Sequence, residues 1–139
     1  MRTIRTYVDA NVLITAFRGD RGNASRRALE ILDDPDRQLV VSDFLRLEVL
    51  PKPTFHGNAA ECEFMQTVLD NAAENVPCDN TVVEKAVEFA SRYDLQPMDA
   101  LHVAIAFIAA VDEFVTFEKP TKPLFKVPQI KLLSLHPEP

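Results

Sequence analysis

Short β-rich runs alternate with helical patterns along this whole chain, and that alternation limits the fold more than any other feature. Thr6-Tyr7-Val8, Leu39-Val40-Val41, Phe114-Val115-Thr116-Phe117 and Ile130 to Leu135 are apolar and rich in β-branched or aromatic residues, as buried strands are. Between them the apolar spacing turns helical. Ala24, Ala28, Leu29, Ile31 and Leu32 mark a helix over 23–32 that ends in the turn Asp33-Asp34-Pro35-Asp36. Ser42 or Asp43 caps a helix carrying Phe44, Leu45, Leu47, Glu48 and Leu50, with a stop at Pro51-Lys52-Pro53. Helices are also predicted from Ala59 to about Ala73, with Phe64, Val68 and Leu69 inward, and from Thr81 to Tyr93, with Val83, Ala86, Val87 and Ala90 inward. The second of these opens on a Thr81-x-x-Glu84 capping box. Val76-Pro77-Cys78 reads as a short edge segment, Pro97 opens a helix through Val111 that is apolar on nearly every side, and Lys119 to Pro128 is a Pro-rich loop.

Strands alternating with helices predict an α/β fold, a three-layer α/β/α sandwich with a mainly parallel central sheet. At 139 residues, 47% of them hydrophobic, the chain has the length and the apolar content of one such domain, 1–139. In these sheets ligands bind beyond the carboxyl ends of the strands. Asp9, directly after Val8, falls there, and so does the segment after Thr116.

Several chemistries have no starting residue. Three glycines, Gly19, Gly22 and Gly57, make neither a GxGxxG turn nor a Walker loop, and the chain holds no G-x-S-x-G elbow and no HExxH. Cys62 and Cys78 form no CxxC pair, which fits a reducing cytosol, and the run after Met1-Arg2 is too short for a signal peptide or a membrane span. A cytoplasmic protein without membrane attachment is the expectation. Fifteen basic against twenty-one acidic side chains disfavour a duplex clamp built on massed cations. The charge is uneven, however. Residues 53–117 carry two basic and eleven acidic groups, whereas the flanking segments hold most of the Lys and Arg. A cationic rim about an acidic centre is a path for a phosphate backbone, with Arg18, Arg21, Arg26, Arg27, Arg46 and Lys52 as its candidates.

Four acids stand in apolar company: Asp9 after Tyr7-Val8, Glu48 in Leu47-Glu-Val49-Leu50, Asp99 in Pro97-Met98-Asp-Ala100-Leu101, and Glu118 after Val115-Thr116-Phe117. Singly, each has an ordinary explanation as a helix-terminal, solvated or turn residue. Converging carboxylates instead require protons or cations to neutralise them, and an oxygen-only donor set suits Mg²⁺ or Mn²⁺. His102 follows Asp99 by three residues and reads as a packed or hydrogen-bonded histidine, while His56 and His136 read as surface residues. Phe44, Phe64, Phe107 and Phe114 read as core.

Taken together, Tyr7-Val8-Asp9-Ala10-Asn11-Val12-Leu13-Ile14, Arg46-Leu47-Glu48-Val49, Met98-Asp99-Ala100-Leu101-His102-Val103-Ala104 and Phe114-Val115-Thr116-Phe117-Glu118 resemble the four landmarks of PIN-domain ribonucleases, in order and at the usual spacing. The resemblance covers essentially the whole chain. It implies a metal-dependent endoribonuclease of the VapC-like toxin type, acting on single-stranded RNA with Mg²⁺ or Mn²⁺. RNA is then the substrate, an antitoxin protein is an implied partner, and a homodimer is left open. Position by position, Asp9, Glu48 and Asp99 match the acidic triad that binds the metal, and Asn11 and Thr116 match polar positions that support those carboxylates. Glu118 falls where the family usually has a fourth acid, commonly Asp. Its extra methylene, with Lys119 following, leaves one metal or two as open alternatives.

Three readings compete with that activity. A receiver-like signalling domain shares Thr116 and Lys119-Pro120, yet it needs an acidic doublet where Asp9-Ala10 stands, and a DxD phosphatase fails on Asn11. A PIN-fold module that binds RNA or a protein without catalysis shares every motif.

Overall fold

The computed structural model describes residues 3–19 and 23–137. Its strands are β1 (Ile4–Val8), β2 (Arg37–Ser42), β3 (Glu74–Val76), β4 (Glu113–Thr116) and β5 (Leu132–Ser134). Its helices are α1 (Ala10–Arg18), α2 (Ala24–Leu32), α3 (Asp43–Val49), α4 (Pro51–Phe55), α5 (Ala59–Asn71), α6 (Asn80–Tyr93) and α7 (Pro97–Ile108), with a 3-10 turn over Pro123–Lys126.

The strands form one sheet in the order β3-β2-β1-β4-β5, and every pairing is parallel. Successive side chains of a strand leave on opposite faces. Tyr7, Val40 and Phe114 therefore enter one core with Ala86 and Phe89 of α6 and Val103, Ala104 and Ile105 of α7. Val8, Val41 and Val115 enter the other, against Val12, Leu13 and Ala16 of α1, Ala28 and Ile31 of α2, Leu45 of α3, and Met65 and Leu69 of α5. Helices thus cover both faces, which is the three-layer α/β/α sandwich expected of a strand-helix alternation. A buried ion pair fastens the amino-terminal side of the sheet. Glu113 Oε2 accepts from Arg37 Nε at 2.6 Å and from Thr6 Oγ1 at 2.8 Å, and Arg37 also reaches Asp34 at 2.8 Å.

Several local expectations are corrected. Residues 10–18, assigned no element from sequence, form α1 straight after Asp9. Pro51 does not end the helical chain but opens α4, where its fixed φ and missing N–H suit a first turn. The cap of α6 is Asp79, whose carboxylate accepts from the Val82 N–H, so no Thr81 capping box forms. Of the four residues expected inward, Ala86 is buried and Ala90 packs partly against the same core, whereas Val83 and Val87 are exposed and Val82 and Phe89 are buried in their place. In α5 the buried positions are Glu61, Met65 and Leu69, with Phe64 and Val68 half-buried. Helix α7 stops at Ile108 and leaves Phe107 and Ile108 partly exposed, so Phe107 is not core.

Candidate functional site

The cleft lies at the carboxyl end of the sheet, where β1 stands between β2 on one side and β4 on the other. The chain leaves β1 at Val8, and Asp9 becomes the N-cap of α1 in extended conformation. Because Val8 pairs with Val115, the next residues, Asp9 and Thr116, are neighbours across the two strand ends. Thr116 Oγ1 donates to Asp9 Oδ2, and the Glu118 N–H donates to Thr116 Oγ1 at 3.0 Å. Asn11 Oδ1 accepts from the Phe117 N–H at 3.4 Å. Thr116 supports a carboxylate directly, whereas Asn11 ties down the backbone that leads to Glu118.

The other acids arrive from separate elements. Ser42 Oγ caps α3 by accepting from the Leu45 N–H at 3.0 Å, and α3 carries Glu48. Pro97 starts α7 so that Asp99 falls in its first turn. Asp9, Glu48, Asp99 and Glu118 line one cleft of about 240 Å³ together with Asn11 and His102. Residues distant in sequence by up to 109 positions are therefore brought to one place.

The electrostatics of that cleft are unfavourable as it stands. Burial, opposed by the Thr116 hydrogen bond, pushes the Asp9 carboxyl from its ordinary 3.8 up to about 6, and Glu118 adds to the rise. Asp99 is raised as well, first by burial and then by the charge of Glu118, with the Lys122 cation acting the other way. Asp9 Oδ1 is buried and makes no hydrogen bond of ordinary geometry, although the Val12 N–H lies close enough to the carboxyl to oppose its rise. A buried carboxylate oxygen ordinarily has a donor or a cation against it. Among the described residues no three His, Cys, Asp or Glu side chains are gathered tightly enough to hold an ion as they stand. The donor set nonetheless fits a hard divalent cation: the lining offers carboxylate oxygens, and one of them lacks a partner.

His102 is buried, and its Nε2 lies 2.6 Å from Glu48 Oε1. Its Nδ1 lies 2.6 Å from the Tyr7 hydroxyl, which is 2.8 Å from Ser42 Oγ. The sequence reading identified His102 as a hydrogen-bonded residue but gave Tyr7 and Ser42 no part in the site. The available signal was a hydroxyl at Tyr7 and at Ser42 in strands otherwise built to be buried. The cation facing Glu118 is Lys122 at 3.5 Å, three residues beyond Lys119 in the loop. Of the expected rim, Arg18 and Lys52 line a separate hollow of about 440 Å³ with His56 and Asn58, and Arg26 pairs with Glu30. Arg21 lies outside the described residues. His56 is exposed as expected, and His136 is half-buried.

Comparison with known proteins gives one family and one fold. The family model for the PIN domain matches residues 6–120. A toxin-antitoxin complex from Klebsiella pneumoniae superposes with a TM-score of 0.67 at 21% identity, covering 93% of this chain and 96% of that one. VapBC2 from Rickettsia felis, bound to a DNA fragment from its promoter, gives 0.71 at 11% identity over 94% and 98%. FitAcB from Neisseria gonorrhoeae gives 0.65 at 20% identity over 93% and 96%. No curated protein sequence matches significantly.

Proposed function

The chain belongs to the PIN-domain family, and from that premise we propose that it is a Mg²⁺- or Mn²⁺-dependent endoribonuclease that hydrolyses phosphodiester bonds of single-stranded RNA. The observation that carries this reading is the buried, partnerless Oδ1 of Asp9 in a cleft lined by three further acids. Asp9, Glu48 and Asp99 would hold the cation, with Glu118 as a fourth and weaker ligand. When bound, such an ion activates a water molecule and stabilises the leaving oxygen.

The protein's own groups prepare the site. The Thr116 hydroxyl engages Asp9 Oδ2, so Oδ1 is the Asp9 oxygen that would remain available to a cation. Asn11 fixes the backbone at Phe117, which sets where Glu118 starts. Asp9 is itself buried, directly after Val8 of the apolar core, where a charge interacts more strongly than in water. Arg18, the last residue of α1, and Lys52, at the start of α4, offer cations to a phosphate backbone in a hollow separate from the cleft, where the buried Glu61 lies 4.0 Å from Arg18.

The similar structures include a toxin-antitoxin complex, which supports an antitoxin protein as the natural partner. Lys122 beside Glu118 favours a second reading, a PIN-fold binding module with little or no hydrolysis, because it neutralises one of the four acids. One experiment separates the two. Purified protein is incubated with labelled single-stranded RNA with and without Mn²⁺, alongside Asp9→Asn. Cleavage that needs Mn²⁺ and is lost in Asp9→Asn, with an unchanged circular dichroism spectrum, is expected. Equal cleavage by Asp9→Asn, or unchanged Mn²⁺ binding to it by calorimetry, refutes the assignment.

A further inference from the structure

We infer that Ser42, Tyr7 and His102 form a one-way hydrogen-bond relay that fixes the tautomer of His102 and holds Glu48 with one oxygen tied and the other free for the cleft. His102 is then a positioning residue for the proposed cation site, so the inference rests on that reading.

The direction follows from counting donors and acceptors. The Leu45 N–H donates to Ser42 Oγ at 3.0 Å, which occupies a lone pair and leaves the Ser42 proton to be placed. Tyr7 is fully buried, and a phenol carries its proton at neutral pH. Its oxygen has two neighbours, Ser42 Oγ at 2.8 Å and His102 Nδ1 at 2.6 Å. Glu48 Oε1, an acceptor, lies 2.6 Å from Nε2, so Nε2 carries a proton. A neutral ring then has an accepting Nδ1. The Tyr7 proton turns to His102, the Ser42 proton turns to Tyr7, and every donor in the chain has an acceptor. With the proton on Nδ1 instead, Nε2 and Glu48 Oε1 would be two acceptors facing one another. With both nitrogens protonated, Tyr7 would have to donate to Ser42, and the Ser42 proton would lose its acceptor.

Packing fixes the ring as well. The Phe44 ring centre lies 4.7 Å from that of His102, and Phe114 lies 6.2 Å away on the β4 side. The relay thereby joins β1, β2, α3 and α7 to one carboxylate, and Ser42 serves twice, as the cap of α3 and as the first link. Partners that orient a ligand in this way typically change metal affinity by about 10- to 100-fold when removed.

The test combines a spectrum taken without metal and a titration. Long-range proton-nitrogen correlation on the metal-free protein is expected to show His102 protonated at Nε2 alone. Tyr7→Phe, which keeps the buried volume, is expected to lower Mn²⁺ affinity about tenfold by calorimetry. His102→Ala is expected to lower it further, and His102→Gln, whose amide nitrogen can stand in for Nε2, to recover part of the loss. A parent protonated at Nδ1, or Mn²⁺ affinities of Tyr7→Phe and His102→Ala equal to the parent's, overturns the relay. A parent that binds no Mn²⁺ overturns the cation reading and the positioning role with it. The metal-free tautomer distinguishes that failure from a failure of the relay itself.

Discussion

Removing the charge of Asp9 is expected to change how stability depends on pH, and the size of the effect follows from its burial. The folded state holds the Asp9 proton up to about pH 6, whereas an ordinary aspartate releases it near 3.8. The native state therefore binds more protons than the unfolded state between those values, so stability falls as pH rises through them. Below the lower value the group contributes nothing, and above the upper one the full cost is present. At about 1.4 kcal/mol per tenfold change in acidity, that cost is on the order of 3 kcal/mol, of which about 2 kcal/mol accrues between about pH 4.5 and 7.5. For 139 residues, an unfolding entropy of about 2.1 cal/mol/K per residue turns 2 kcal/mol into roughly 7 °C of melting temperature. The assay is calorimetric melting in a chelator across that pH range, for the parent and for Asp9→Asn. Asn leaves a buried amide where Oδ1 was partnerless, which shifts its absolute stability, so the slope is the quantity to compare. Asp99 is raised in the same direction in both proteins and cancels in the comparison. The parent is expected to lose about 7 °C more than the variant over this range, and Mn²⁺ at about a hundredfold excess over its dissociation constant is expected to return about 2.7 kcal/mol to the parent at the upper end. Parallel pH slopes for the two proteins would refute the argument that burial, uncompensated, controls Asp9.

At the fourth acid, Glu118→Asp is expected to raise Mg²⁺-dependent turnover on single-stranded RNA, because a glutamate placed about 1 Å off can cost on the order of 100-fold in rate. Glu118→Gln is expected to lower turnover less than Asp9→Asn does, and equal single-turnover rates for parent, Glu118→Asp and Glu118→Gln would remove this carboxylate from the chemistry. Far from the cleft, Arg37→Met is expected to cost about 1.5–3 kcal/mol in urea denaturation, since it leaves the buried Glu113 charge without the half-buried guanidinium that bonds it. The double change Arg37→Met with Glu113→Leu is expected to recover most of that, and a single-variant cost below about 1 kcal/mol contradicts the reading of a tightly coupled pair.

The strands were legible because burial on both faces selects continuous apolar runs, and Asp9 was legible because a charge closing such a run has few structural uses. Helix α1 was not. Asn11-Val12-Leu13-Ile14 has the β-branched look of a strand, and only the packing of Val12, Leu13 and Ala16 on the sheet decides for helix. The face of α6 was misread in part because two residues near its start suit capping, and Asp79 took the role from Thr81. Two N-terminal signals this close cannot be ranked without knowing where the chain leaves β3. The acids of the cleft were readable as a set, whereas their supports were not. Glu48 and His102 stand 54 positions apart, and neither residue's neighbours in sequence indicate the other. Lys122 replaced Lys119 beside Glu118 for a similar reason, since the route of the loop decides which lysine returns.

The register of the central strand also sets an order of events during synthesis. Thr6 pairs with Glu113, and their side chains bond across 107 positions. At about 5–20 residues per second a ribosome takes roughly 5–20 s to supply that partner. Until then β1 has β2 on one side and an open edge on the other, and Asp9 lacks the Thr116 hydroxyl. A nascent chain halted before residue 113 carries Asp9, Glu48 and Asp99 on an unfinished sheet, with no Glu118 to close the cleft. Whatever the cleft does, it begins late, and a chain cut short is harmless in that respect but exposes a sticky strand.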